Sequence, residues 1–242
     1  MHSFIRHIDR AGAIAITITA ILVVCAVAVT VKGDKAGSYG GEIQGIDVSH
    51  HQGAIDWDAV ATNEKIRFVY IKATEGATHQ DTRYRQNIAE ARQAGLPVGS
   101  YHYFHPDIPV TEQLKNFTKV VNMDFQDLIP VVDIEESNNL TGKQICDSLK
   151  RFTSLLKDFC GKQPVIYTHQ RFYNDYLQKS FCQTGLWIAR YGFFIFKPMP
   201  QLEDMRNGMI WQYSNRGRID GIEGHVDLNT LCAGFSLEQI ML

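Results

Sequence analysis

The sequence lacks several things that would have set its class at once. Its five cysteines are scattered, at positions 25, 146, 160, 182 and 232, with no Cys-x-x-Cys pair. That argues against a thiolate zinc site. It has no cluster of Lys and Arg, and 24 basic against 26 acidic side chains leave a net charge of −2. A protein that grips nucleic acid presents a basic face, so nucleic acid is not an expected partner. No Gly-x-Gly-x-x-Gly follows the first strand, so the usual dinucleotide-binding fold has no support. Long uncharged apolar runs are missing too, apart from one near the N-terminus.

That run is residues 11–31, without a charged side chain. Its length suits a bilayer-crossing helix, which takes about 20 residues. Arg6 and Arg10 precede it, and a short Arg-bearing arm stays in the cytoplasm. The expectation is a cytoplasmic arm at 1–10 and a transmembrane helix or signal-anchor at 11–31. Residues 32–42, with five glycines and serines, read as a linker, and the folded domain occupies 43–242. A cleaved signal peptide is the competing reading, with Ala26-Val27-Ala28 small enough for a cleavage site. A lipoprotein signal at Leu22-Val23-Val24-Cys25 is a poorer match, because Val24 is not small. Each version exports the domain, whose cysteines are expected as buried free thiols.

What is present after residue 42 is alternation. Apolar runs at 43–48, 67–73, 96–104, 128–134, 164–168, 185–189, 209–213 and 225–228 read as strands. Helical spacing covers 55–64, the stretch from Tyr84 to before Gly95, and a segment after Thr111 read as its cap. Further helices follow Thr141-Gly142-Lys143-Gln144, which has the form of a capping box, and surround residues 172–177. Trp57, Phe117, Phe152 and Phe159 are assigned to the core. Strand–helix alternation implies parallel strands with crossover helices. Eight units in about 200 residues predict an α/β fold, a modified (β/α)8 TIM-like barrel with degenerate late helices.

The polar residues fall at the strand ends, where a barrel enzyme carries its site. Within Pro130-Val131-Val132-Asp133-Ile134-Glu135, the two acids stand two apart and share one strand face. Carboxyls held this close do not ionise independently; one is kept protonated, as acid/base or glycosidic chemistry requires. Asp47 and Asp227 end other strands, with Tyr101, Tyr103, Tyr167, Trp187, Tyr191 and Trp211 nearby. Acids with aromatic faces suit a saccharide cleft.

The ordered series Gly45-Ile46-Asp47-Val48-Ser49, Phe68-Val69-Tyr70-Ile71-Lys72-Ala73-Thr74-Glu75-Gly76, Gly99-Ser100-Tyr101-His102-Tyr103-Phe104, the Asp-x-Glu strand, Pro164-Val165-Ile166-Tyr167-Thr168, Leu186-Trp187-Ile188-Ala189 and Trp211-Gln212-Tyr213 resembles glycoside hydrolase family 25, the Chalaropsis-type lysozymes. The resemblance runs from residue 43 to about 235. It implies an N-acetylmuramidase acting on peptidoglycan glycan strands, without metal or cofactor. It maps the proton donor to Glu135, and to Asp133 a nucleophile or a carboxylate assisting the substrate's acetamido group. Asp47 and Asp227 complete the catalytic set by tuning its charge; Tyr101, Tyr103, Tyr167, Trp187, Tyr191 and Trp211 become saccharide contacts. His50-His51-Gln52 departs from the family's commonest pattern, an aromatic before Gln. No wall-binding repeats follow the last strand, so a membrane anchor at 11–31 would supply proximity to the wall. A monomer is expected.

Two other readings stand beside it. One is a non-catalytic peptidoglycan-binding module that keeps the cleft. The other is a metal-dependent deacetylase of cell-wall sugars using His and Asp ligands. His102 and His105, one on a strand and one past its end, make poor ligand geometry and are read as polar rim residues. Ser49 beside His50 carries no triad signal, since neighbours in a strand face opposite ways.

Overall fold

The computed structural model describes residues 34–35, 43–192 and 208–242. The expected membrane segment at 11–31 lies outside the described residues. Among those described, no helix is long and apolar enough to cross a membrane. Within the expected linker, Asp34–Lys35 pairs in parallel with Gly217 and Arg218.

Eight strands close into a barrel: β1 (Gln44–Val48), β2 (Ile66–Glu75), β3 (Val98–Tyr103), β4 (Val131–Asp133), β5 (Val165–His169), β6 (Leu186–Ala189), β7 (Gly208–Arg218) and β8 (Val226–Leu231). Each pairs with the next, and β8 returns to β1. The first seven run parallel. The last does not: β8 is antiparallel to both β7 and β1. The expectation of eight parallel units is corrected here. Only residues 219–225 separate β7 from β8, too short a connection for a parallel crossover of a dozen or more residues, so the chain turns back as a hairpin. The reversal has a consequence for the site. The mouth formed by the C-terminal ends of β1–β7 meets the N-terminal end of β8, and Asp227 there is the direct cross-strand partner of Asp47.

Period-two alternation sorts the side chains into two apolar layers. In β2, Val69, Ile71 and Ala73 face outward and pack under the helices, while Phe68 and Tyr70 fill the barrel. The lower barrel is crowded by these rings, and two neighbouring strands make room by lacking a side chain. A Cβ on Gly45 would stand 2.3 Å from the Phe68 ring, and one on Gly99 2.5 Å from Tyr70 and 2.8 Å from Leu128. Gly99→Ala is therefore expected to destabilise the fold by about 1–3 kcal/mol through overpacking, read as a lower urea midpoint with unchanged m. The chain end closes this side. Residues 237–242 bond back to Asp127 and Ile129, and Ile240 is fully buried.

The helices are α1 (Trp57–Ala61), α2 (Tyr84–Gln93), α3 (Val110–Val120) and α4 (Gly142–Cys160). Thr141 and Gln144 do form a capping box, and Gly161 ends α4 in the left-handed region at φ 78°. Three expectations change. Thr111 lies inside the first turn of α3, which Pro109 precedes. The helix expected over 55–64 shrinks to five residues, because Ile55 bridges to Ile222 and Asp56 caps the start. Phe159, in the last turn of α4, is 37% exposed and not core. After β5 the chain makes one helical stretch, Gln170–Phe172, a π-turn at Tyr173–Leu177, and Gln178–Phe181. Among the four described cysteines, all free, Cys146 and Cys232 are buried, Cys160 is half-buried and Cys182 is exposed.

Candidate active site

The mouth holds a cleft of about 210 Å³. Most wall residues are there because their position on a strand turns them inward. Asp47 is the second inward residue of β1 after Gly45, and Tyr101 and Tyr103 follow Gly99 on β3. Asp133 follows Val131 on β4, with Glu135 just past the strand end; Tyr167 and Trp187 come from β5 and β6. Asp227 enters from β8. These eight sequence-derived residues are brought together.

The four acids form two coupled pairs. Asp47 and Asp227 hydrogen-bond across the β1–β8 ladder. Burial pushes Asp47 up to about 6, held from rising further by donors from Asn229 and Gln212. Burial, then the Asp47 charge, pushes Asp227 up to about 9. Asp133 and Glu135 make the second pair. Burial and the neighbouring Glu135 hold Asp133 well above the usual carboxylate range. Burial, then Asp47, raises Glu135 as well. Oδ1 of Asp133 is buried and has no hydrogen-bond partner among the described residues.

Opposing these charges is Lys72, the one ammonium among the described residues lining the cleft. Its Nζ bonds Glu75 Oε2 at 2.7 Å and lies 5.0 Å from the Tyr103 ring centre. Glu75 also bonds His105 Nε2 at 3.1 Å. His105 is thus a rim residue, as expected.

His102 is not. It is an outward-facing residue of β3, fully buried, stacked 5.0 Å from Phe152 and bonded to Thr74 at 2.7 Å and Gln113 at 3.2 Å. Burial lowers it to about 4, so it is neutral. Alternation likewise moves Trp211. Ile210 and Gln212 face inward, which sends Trp211 outward, 2% exposed, its indole nitrogen donating to the Arg190 carbonyl at 2.9 Å. It is a core residue and does not line the cleft. Trp187 faces inward as floor, 2% exposed, with its N–H given to Asn229. Tyr191 stands at the rim, 44% exposed, its hydroxyl bonded to Gln212. Ser49 caps the turn after β1, accepting from the His51 N–H at 3.3 Å, while Gln52 closes the box at 2.9 Å. His51 and Gln52 line the cleft; His50 is turned away to Asp81 at 2.7 Å.

The sequence reading missed Asn229 and Gln212 as site residues. Asn229 stands two residues after Asp227, so Asp-x-Asn on one strand carried the same signal as Asp-x-Glu. Among the described residues no group of three or more His, Cys, Asp or Glu is placed to hold a metal ion.

Comparison with known proteins fits this arrangement. The family model described as glycosyl hydrolases family 25 matches residues 46–222. The chain belongs to this family. It is accordingly a glycoside hydrolase. Among relatives of this family 25 chain, the uncharacterized Escherichia coli protein YegX is 35% identical over 191 residues, covering 77% of this chain and 68% of that one. The autolytic lysozyme of Clostridium acetobutylicum is 32% identical over 192 residues, covering 79% and 56%. The crystal structure of a bacterial lysozyme from Streptomyces coelicolor superposes with a TM-score of 0.73 at 30% identity, covering 83% of this chain and 95% of that one.

Proposed function

We propose that this family 25 enzyme is an N-acetylmuramidase that hydrolyses the β-1,4 bond between N-acetylmuramic acid and N-acetylglucosamine in peptidoglycan. The observation that carries the reading is the Asp133–Glu135 pair in a cleft walled by tyrosines. Burial and Asp47 raise Glu135 toward its acid form, the form that delivers a proton to the glycosidic oxygen. Asp133 lies hydrogen-bonded beside it. An inverting enzyme separates its carboxyls by about 6.5–9.5 Å to seat a water, and this pair leaves no such gap. Retention of configuration follows. The unpartnered Oδ1 of Asp133 is suited to the substrate's acetamido N–H, which favours assistance by the acetamido oxygen over direct attack by Asp133. Tyr101, Tyr103 and Tyr167 line the sugar path and Tyr191 extends it at the rim. The enzyme acts as a monomer, without metal, and residues 11–31 anchor it with the domain on the wall side of the membrane.

The test is incubation of the purified protein with peptidoglycan, with and without chelator. New reducing ends that persist in chelator are expected. Acetate release without chain cleavage would instead identify a deacetylase, and binding with neither product a wall-binding module. Membrane fractionation with N-terminal sequencing of the mature protein checks the anchor; a terminus near residue 29 would replace it with a cleaved signal.

A further inference from the structure

Behind the cleft wall, one buried chain of hydrogen bonds has a direction that chemistry alone fixes. An indole nitrogen donates and never accepts. Trp187 Nε1 stands 2.9 Å from Asn229 Oδ1, and Asn229 is fully buried. The amide oxygen must therefore face Trp187, which leaves the amide NH₂ facing Asp47, with Nδ2 2.8 Å from Oδ2. Turning the amide over would set N–H against N–H at one end and oxygen against carboxylate at the other. Gln212 repeats the arrangement from β7. Its Oε1 receives the Tyr167 hydroxyl at 2.8 Å and that of Tyr191, and its Nε2 donates to the same Oδ2 of Asp47 at 2.9 Å. Two amide donors fill Oδ2 and stabilise negative charge on the Asp47 carboxylate, so a proton shared with Asp227 is held less well by Asp47. Among the described residues Asp227 has no comparable donor; its carboxyl bonds only to Asp47.

We propose that Trp187 and Asn229, with Gln212, are positioning residues that fix the shared proton of the Asp47–Asp227 pair on Asp227, so that Asp47 faces Glu135 as an anion. No bond is made or broken in this step; a proton is held at one oxygen rather than another. The groups facing Asp47 are Asp227 on β8, Asp133 and Glu135 from β4, Lys72 on β2, Tyr101 on β3, Tyr167 on β5 and Tyr191 beyond β6. Lys72 pulls Glu135 toward ionisation, and the Asp47 anion pushes it back toward the protonated form. Trp187, read from sequence as a sugar platform, thereby acts on the acid of the proposed reaction through two intermediaries. The assignment of that acid rests on the muramidase reading; the proton position does not.

The deciding experiment is a carboxyl-carbon NMR titration of the full-length protein labelled at aspartate, with resonances assigned through Asp47→Asn and Asp227→Asn. In the wild type Asp47 is expected to be charged at neutral pH with Asp227 still protonated. In Asn229→Leu and in Trp187→Phe the two titrations should draw together by about half a pH unit or more. The basic limb of hydrolysis should move to lower pH in the same variants. Trp187→Phe keeps an aromatic ring and loses the N–H, so it decides the matter even if Asn229→Leu fails to fold. An Asp47 that titrates above Asp227 in the wild type, or a spacing untouched by both variants, would overturn the proposal. The expected order in a protein that releases no reducing ends would overturn the muramidase reading and leave the proton assignment standing.

Discussion

Glu135→Gln is expected to lose at least about a thousandfold in peptidoglycan hydrolysis while keeping its fold and its affinity for the wall. The replacement is nearly isosteric and removes only the proton to be transferred. Glu135 sits just beyond the end of β4, half-buried, so an amide there is solvated and its burial creates no uncompensated charge. Its own environment explains why it is suited to the role. Burial and the Asp47 anion raise it above the ordinary range, with Glu136 adding and the Asp133 hydrogen bond and then Lys72 opposing. The wild-type rate should accordingly fall as the pH climbs through this raised value, because the acid form is then lost. Reducing-end release across pH, with circular dichroism on both proteins, checks each part. A Glu135→Gln variant that kept about a tenth of wild-type activity would remove Glu135 from the reaction.

Asp227→Asn should make the protein more stable, and increasingly so as the pH rises. The sign follows from linkage. A carboxyl ordinarily near 3.8 and pushed up to about 9 in the fold contributes stability that is complete below about pH 3.8 and lost as the pH rises through 9. At about pH 8 the wild type keeps neutral a carboxyl that the unfolded chain would ionise, and that difference weakens the fold. An asparagine is neutral in both states and still offers an N–H to Asp47. The gain should be on the order of 1–2 kcal/mol at pH 8 and close to zero at pH 4. Urea unfolding at the two pH values measures it. A variant less stable at the higher pH than the wild type, or one whose advantage shrinks with rising pH, would contradict the burial argument.

Much of this was legible in the chain itself. Alternating acids at 133 and 135 sit on one face of any strand, and the capping box at Thr141 works through local geometry, so each was readable from a few residues. Two residues failed on which way a strand faces. Trp211 and His102 both lie at strand ends at the right height, and both point outward because their neighbours Gln212 and Tyr101 point in. A one-residue difference in a period-two pattern moves a side chain from the cleft to the helix layer. Phe159 failed for a different reason: helical spacing puts it on the stripe of Leu149, Phe152 and Leu156, but it stands in the last turn of α4, where it is 37% exposed.

The sequence by itself determined the strand count, the coupling of Asp133 with Glu135 and the family, because each depends on local spacing or on motifs in order. Only the tertiary structure decided the pairing of Asp47 with Asp227. That pairing requires β8 to run antiparallel and close the barrel against β1, joining the two ends of the domain in a contact that no local pattern specifies. It also decided what Trp187 does, since the acceptor of its N–H belongs to that same reversed strand.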